Sequence, residues 1–171
     1  MRQVESKFRW SDHEVVLARA LEAGASDEGL LLQHDQFYGV STGRLKLRTI
    51  AGAGGELIAY DREDIAAARA SDYGLFSTGD AELLDEVLGR ALVRTGSLEK
   101  TRHLLILRNT RIHLDDVVGF GRFVELETAI HDQSETDAAT EHDDVIALLG
   151  LRDAEPIAVG YIDLDKVNRA S

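Results

Sequence analysis

Polar and apolar side chains alternate along two neighbouring stretches in the second half of the chain, on either side of a Gly-Phe-Gly turn at 119–121. Alternation with a period of two places successive side chains on opposite faces of a β-strand. The 111–127 region therefore predicts a β-hairpin with one aliphatic face and one charged face. Five polar positions share the charged face: Arg111, His113, Asp115, Glu125 and Glu127.

Similar patterns predict six further strands and three helices. The strands are Gln3–Trp10, Gly29–Tyr38, Gly43–Ile50, Glu56–Arg62, Arg69–Ser77 and Leu98–Arg108. Apolar residues at helical intervals predict helices at Asp12–Ala23, Asp80–Thr95 and Thr136–Leu149. Ser11 and Glu14 have the spacing of a capping box before the first helix. The segment 65–70 is compatible with a helix or a loop, and 160–167 predicts a short element packed against the body.

The charged faces of these strands decide the architecture. If they faced solvent, the apolar faces would fill a closed barrel and the amphipathic helices would have nothing to pack against. We therefore expect the apolar faces to point outward to the helices and the charged faces to line an interior, as in an antiparallel β-barrel or strongly curved sheet of seven or eight strands. An enclosed surface with many basic groups requires an anionic ligand or paired carboxylates. The fold class is α+β, with helices packed outside the barrel.

Composition limits the kind of protein further. A chain of 171 residues is one domain's length, and we expect a single domain over 1–171. The absence of cysteine excludes disulfides and thiolate metal sites. A net charge of −12 argues against nucleic acid as a partner. Without a signal-peptide pattern or a long apolar run, we expect a cytoplasmic protein that does not bind a membrane.

Nine short motifs spread over nearly the whole chain carry a family resemblance: VESK, DQFY, GRLKLR, ELIAYDR, RASDY, KTR, RIHLD, GFG and VELE. Together they resemble a CYTH domain of the triphosphate tunnel metalloenzyme superfamily, most closely its class IV adenylyl cyclase-like branch. The resemblance implies an eight-stranded antiparallel barrel whose tunnel holds a triphosphate with basic side chains and a divalent metal with acidic ones. It also implies that a homodimer is common, and that activities within the fold include cyclisation of ATP and hydrolysis of thiamine, inorganic or RNA-linked triphosphate.

Carboxylates suit the Mg²⁺ or Mn²⁺ that this resemblance implies, because both ions prefer oxygen ligands. The candidate metal ligands are Glu5, Glu125 and Glu127. Glu5 matches the second glutamate of the family's E-x-E-x-K signature, but Gln3 replaces the first, which affects either the number of metals bound or the turnover rate. Two further strand carboxylates, Asp35 and Asp115, either add a ligand or orient an arginine.

Arginine and lysine together suit a polyanion, because arginine offers paired hydrogen bonds and lysine a point charge. The candidate triphosphate-binding residues are Lys7, Arg44, Lys46, Arg48, Arg62, Arg69, Arg102 and Arg111. Lys46 and Arg111 lie mid-strand in the two best motif matches and are the predicted catalytic residues. His113 is either a hydrogen-bonded wall residue or an acid or base. Tyr38, Tyr60 and Tyr73 either flank a nucleobase or pack.

Three functions are compatible with these residues. The leading hypothesis is a metal-dependent adenylyl cyclase, which converts ATP to cyclic AMP and pyrophosphate, followed by a triphosphatase acting on inorganic or thiamine triphosphate. A tunnel that binds nucleotide or polyphosphate without turnover is the third, and only Gln3 favours it. A barrel for an apolar ligand would need an aliphatic interior, which the alternation contradicts.

Overall fold

The strands form a closed barrel, which confirms the predicted fold class. The computed structural model describes residues 2–61, 69–131 and 133–164. The strands in chain order are β1 (Arg2–Arg9), β2 (Ser26–Tyr38), β3 (Arg44–Ile50), β4 (Gly54–Asp61), β5 (Arg69–Thr78), β6 (Arg94–Leu107), β7 (Thr110–Val117), β8 (Gly121–Ala129) and β9 (Glu155–Pro156). The helices are α1 (His13–Glu22), α2 (Ala81–Ala91) and α3 (Glu135–Leu149), followed by a short 3₁₀ helix at Tyr161–Asp163.

The eight long strands are all antiparallel and follow the order β5-β4-β3-β2-β6-β7-β8-β1 around the wall. Pairing of β1 with β5, in the register Arg2↔Asp72 to Glu5↔Arg69, closes the barrel. The two-residue strand β9 adds to the outside of β1. Closure removes the free sheet edges that an open sheet of this size would expose.

The main apolar core lies outside the barrel, as the alternation predicted. Aliphatic side chains of β6, β7 and β8 pack against α1 and α3, which cover this part of the wall. A second apolar cluster fills one end of the barrel, where Phe37, Leu98 and Phe123 meet the C-terminal segment around Tyr161. The barrel interior contains the charged side chains together with part of this second apolar cluster.

Several predicted boundaries are wrong, and the local structure explains three of them. Asp12 rather than Ser11 caps α1, because its carboxylate accepts the amide of Val15 at 3.2 Å. β2 begins at Ser26, since Gly29 has φ +86° and forms a bulge within the strand instead of ending it. α2 ends at Ala91 rather than Thr95, because the chain becomes extended at Leu92 and enters β6.

The second helix is less buried than its apolar stripe predicted. Leu83 and Val87 are 56% and 55% exposed. The N-terminal residue Ala81 is the buried contact, and it packs on Gly55 of β4, where a Cβ would come within 2.7 Å of the Ala81 Cβ. The helix therefore depends on the absence of a side chain at Gly55.

A buried histidine joins α3 to the barrel. His142 has ring nitrogens 2.8 Å from the hydroxyls of Ser6 on β1 and Thr128 on β8, and it is fully buried. Burial lowers the pKa of His142 from 6.5 to about 4, although Asp143 and Glu141 act in the opposite direction. The neutral imidazole is thus the form that the folded protein accommodates.

We expect the free energy of unfolding to fall as the pH is lowered from 6.5 to 4, because the unfolded chain then protonates His142 and the folded chain does not. A shift of this size contributes about 3 kcal/mol. Denaturant titrations at several pH values should show a shallower pH dependence for His142→Gln. An NMR titration that found the ring protonating near pH 6.5 would contradict the expectation.

Candidate functional site

A tunnel runs into the barrel and is lined by charged side chains from seven strands. Its charged lining consists of Glu5, Lys7, Asp35, Lys46, Arg48, Glu56, Arg102, Arg111, Glu125 and Glu127. Among these described lining residues, five are basic and five acidic. Paired carboxylates thus offset the cations, which is one of the two conditions that an enclosed basic surface requires.

Asp35 neutralises two of the predicted phosphate-binding residues. Its carboxylate on β2 accepts hydrogen bonds from Lys46 Nζ at 3.0 Å and Arg48 Nε at 2.8 Å on β3. Burial raises the pKa of Asp35, but Lys46 and Arg48 outweigh it and hold the pKa well below the ordinary aspartate value. Asp35 therefore orients these cations, one of the two roles predicted for it.

Asp115 has the corresponding role on β7, two strands away from β2 in the barrel. Arg102 donates two hydrogen bonds to it, at 2.7 and 2.6 Å, and Lys100 donates a third at 3.2 Å. The hydroxyl of Tyr161 donates to the same carboxylate at 2.9 Å. Burial, followed by the charge of Arg102, lowers the pKa of Lys100 to about 7 despite Asp115. The fully buried carboxylate of Asp115 thus holds Arg102 in place.

Glu125 connects the anchored arginine to the tunnel. It lies 3.1 Å from Lys7 Nζ and accepts a hydrogen bond from Arg102 at 2.8 Å. Burial raises the pKa of Glu125, but the charges of Lys7 and Arg102 hold it well below the ordinary value. Glu125 is consequently ionised at neutral pH.

The structure brings two predicted metal ligands together with a histidine. One donor atom from each of His113, Glu125 and Glu127 lies within 4.8 Å of the other two. Burial raises the pKa of Glu127 as well, but the surrounding groups, among them His113, Arg102 and Arg111, together hold it below the ordinary glutamate value. Two ionised carboxylates and an imidazole are a donor set that fits a divalent cation.

Glu5, the third predicted ligand, faces the same tunnel without belonging to that group of three. It lies opposite Glu127 in the β1–β8 pairing. Ser71 donates to its Oε2 at 3.1 Å, and the side-chain amide of Gln3 donates at 3.4 Å. Gln3 thus supports Glu5 as a hydrogen-bond donor, where a glutamate would add negative charge.

The remaining predicted cations differ in their surroundings. Arg111 lies opposite Glu127 on β7, lines the tunnel and forms no ion pair with any acidic residue in the described part of the chain. Arg44 lies 3.4 Å from Asp163 and lines a separate, shallower depression. Arg62 lies outside the described residues, and Arg69 occupies the first position of β5. Arg111 is therefore the cation most available to a ligand among those described.

Apolar and aromatic side chains line the rest of the tunnel: Phe37, Ile58, Tyr60, Tyr73, Leu75, Leu98, Tyr161 and Ile162. Tyr60 and Tyr73 are neighbours across the β4–β5 pair. Tyr38 does not join them, because it faces outward and donates its hydroxyl proton to Asp85 of α2 at 2.5 Å.

Tyr161 is a tunnel residue that sequence reasoning missed. Its ring lies 4.1 Å from Lys7 Nζ and 4.9 Å from the ring of Phe123. No strand period reaches this position, which lies in the 3₁₀ helix. Phe37 and Leu98, by contrast, could have been predicted from the strand period. Each is an even number of residues from a charged tunnel residue on its own strand, Asp35 for Phe37 and Arg102 for Leu98, and so shares its face.

None of the helices among residues 2–61, 69–131 and 133–164 is long and apolar enough to span a membrane.

Known proteins show the same architecture. The PH1012 protein of Pyrococcus horikoshii OT3 superposes with a TM-score of 0.83 at 23% identity, covering 95% of this chain and 98% of that one. A candidate adenylate cyclase from Vibrio parahaemolyticus gives a TM-score of 0.77 at 21% identity, with 96% and 97% covered. Identities this low establish the shared fold alone. No curated protein sequence gives a significant match.

The sequence family supplies the assignment. The CYTH domain matches residues 1–161. With this match over nearly its whole length, and a closed barrel around a charged interior, the chain belongs to the CYTH domain family of triphosphate tunnel proteins.

Proposed function

We propose that the protein is a divalent-metal-dependent enzyme that acts on a triphosphate in the tunnel, and specifically that it converts ATP to cyclic AMP and pyrophosphate. The observation that carries the proposal is the pairing, inside one enclosed tunnel, of a cationic wall with an ionised carboxylate pair at Glu125 and Glu127. Members of the CYTH family are generally metal-dependent enzymes.

The basic side chains would hold the phosphates. Arg111 has no competing ion pair among the described residues, and Lys46 and Arg48 can exchange Asp35 for a phosphate oxygen. Arg102 is held by both Asp115 and Glu125, so its role is to keep positive charge fixed beside the carboxylates. A phosphate chain bound along Arg111, Lys46 and Arg48 would contact two strands, β7 and β3.

Glu125 and Glu127 would hold the metal, with Glu5 close enough on the adjacent strand to contribute. When bound, a divalent cation in this position would neutralise phosphate charge and polarise the reacting phosphorus. The carboxylates are ionised in advance because neighbouring cations keep their pKa values low. Neither carboxylate would therefore have to lose a proton before it binds the metal.

The apolar part of the lining favours a nucleotide over inorganic triphosphate. Tyr60, Tyr73 and Ile58 offer flat and aliphatic surface beside the cations, and Lys46 Nζ lies 5.8 Å from the Tyr60 ring centre. Inorganic triphosphate has no group to bury there. A nucleobase does, and its ribose would then lie between this surface and the phosphates, as attack of a 3′-hydroxyl on the α-phosphorus requires.

Two other functions remain as outcomes of the test. Hydrolysis needs only a water molecule at the terminal phosphorus, and the same cations and carboxylates would serve it. Binding without turnover is favoured by Gln3, because an amide hydrogen-bonded to Glu5 leaves the tunnel one carboxylate short of the family's signature.

We expect incubation with ATP and Mn²⁺ to yield cyclic AMP and pyrophosphate, separable by chromatography. Glu127→Gln, which removes a charge without changing volume, should abolish the products while leaving the circular dichroism spectrum unchanged. Formation of ADP and phosphate instead would show that the protein hydrolyses ATP and does not cyclise it. If ATP, tripolyphosphate and thiamine triphosphate all stay intact, the protein is not an enzyme for these substrates, and binding without turnover becomes its function.

Lys46→Ala and Arg111→Ala should each weaken tripolyphosphate binding by at least roughly tenfold, because each removes a charge-assisted contact. Binding of inorganic monophosphate should weaken less, since one phosphate engages fewer donors. Calorimetry measures both, with Arg122→Ala as the control, because Arg122 pairs with Asp116 on the outer surface. Equal losses for the two anions would make these residues structural.

Asp35→Asn should have opposite effects on stability and binding. Loss of the buried carboxylate leaves Lys46 and Arg48 without their anion and should lower the free energy of unfolding by roughly 3 kcal/mol. The same change frees both cations and should tighten tripolyphosphate binding. Asp85→Asn is the matched control, since Asp85 pairs with Arg94 outside the tunnel. Weaker binding by Asp35→Asn would contradict this expectation and show that loss of the orienting carboxylate outweighs release of the two cations.

A further inference from the structure

The imidazole of His113 is a group in the tunnel wall that phosphate binding does not use. His113 lies on β7 directly opposite Glu125 of β8 and is fully buried. Of the two readings that the sequence left open, a wall residue should have both ring nitrogens hydrogen-bonded. The geometry of the ring tests that reading directly.

The ring nitrogens are not satisfied in this way. Nδ1 lies 3.7 Å from Glu125 Oε2, and Nε2 lies 3.9 Å from Glu127 Oε2, both beyond a hydrogen bond. Nε2 is also 3.5 Å from Arg102 Nη1, at the outer limit of a hydrogen bond. Nδ1 has no hydrogen-bond partner among the described residues. A buried nitrogen without a partner is costly unless something else fills the site.

The spacing of the three side chains fits a cation between them. Two ligands about 2.1 Å from one metal lie roughly 3.0 Å apart at right angles and roughly 4.2 Å apart when opposite. Nδ1 is at such a separation from Glu125, at 3.7 Å, and Nε2 from Glu127, at 3.9 Å, while one donor atom from each of the three residues lies within 4.8 Å of the other two. A side-chain movement that shortens the longer of these separations would bring one nitrogen and both carboxylates to a shared ion.

We propose that His113 is a nitrogen ligand of the metal held by Glu125 and Glu127, and that it makes the site select Mn²⁺, Co²⁺ or Zn²⁺ over Mg²⁺. Imidazole suits these transition metals, whereas Mg²⁺ takes oxygen ligands almost exclusively. The inference deepens the proposed function and rests on its metal site. A purely carboxylate site would bind Mn²⁺ and Mg²⁺ with much less discrimination.

The charge around the site explains why a neutral ligand is useful there. Glu125 is already engaged by Lys7 and Arg102, and Arg102 lies beside the ring as well. An imidazole bound to a metal through one ring nitrogen brings no negative charge, unlike a third carboxylate. A neutral nitrogen donor adds a ligand without adding negative charge that the incoming triphosphate would have to overcome.

The test is a measurement of Mn²⁺ bound to the full chain without nucleotide. Electron spin-echo spectroscopy should detect coupling between Mn²⁺ and ¹⁴N, and the coupling should change when histidine is labelled with ¹⁵N. His113→Gln should lose the coupling and at least roughly tenfold in Mn²⁺ affinity, while Mg²⁺ affinity changes much less. His103→Gln is the matched control, because His103 pairs with Asp27 outside the barrel at 2.7 Å.

Absence of nitrogen coupling from bound Mn²⁺ overturns the inference, as does failure to bind Mn²⁺ or an equal loss of Mn²⁺ and Mg²⁺ affinity in His113→Gln. The spectrum of the unmodified protein decides the matter even if His113→Gln does not fold. Nitrogen coupling without ATP turnover would retain the metal site and reject the enzyme. Turnover without nitrogen coupling would retain the enzyme and reject His113 as a ligand.

Discussion

Compensation of buried charge is the constraint on which this barrel depends. Asp35 and Asp115 are almost completely removed from solvent, and each is held by two cations from the neighbouring strand. Neither carboxylate could stay charged there alone, and the cations would repel one another without them. The two aspartates therefore set the rotamers of Lys46, Arg48 and Arg102, and hence the shape of the tunnel.

This compensation divides the tunnel into two parts. Around Asp115, every charge is hydrogen-bonded, Tyr161 covers the group, and the structure is that of a rigid polar core. Toward Arg111, Tyr60 and Tyr73, cations and aromatic rings face open space. A ligand that enters from this side replaces solvent around the outer cations and leaves the hydrogen bonds around Asp115 intact. A charged tunnel can bind a polyanion in this way without a change in its buried network.

Much of the architecture could be predicted from the two-residue period of a strand, because this period fixes which side chains share a face. The outward apolar faces and the inward charges of the 111–127 hairpin follow from it directly. Boundaries failed where tertiary pairing overrides local propensity, as at Leu92, where the extended chain leads into β6 and its pairing with β2. The place of Tyr161 could not be predicted, nor could the choice between the two roles of Asp35 and Asp115, since both depend on distances between strands that the period of two does not contain.

The closure of the barrel ties the order of folding to the appearance of the site. β1 is the first strand to be synthesised, whereas its partner β8 is the last of the eight long strands along the chain. The Glu5↔Glu127 and Lys7↔Glu125 pairs therefore join distant parts of the sequence. Contacts between such distant segments form slowly, because a long loop must be closed before they stabilise anything. Glu5 and Lys7 therefore meet Glu125 and Glu127 only when β1 docks, so a chain still attached to the ribosome without β8 has neither a closed barrel nor a complete ligand set. Acquisition of the site and completion of the fold are a single event in this topology.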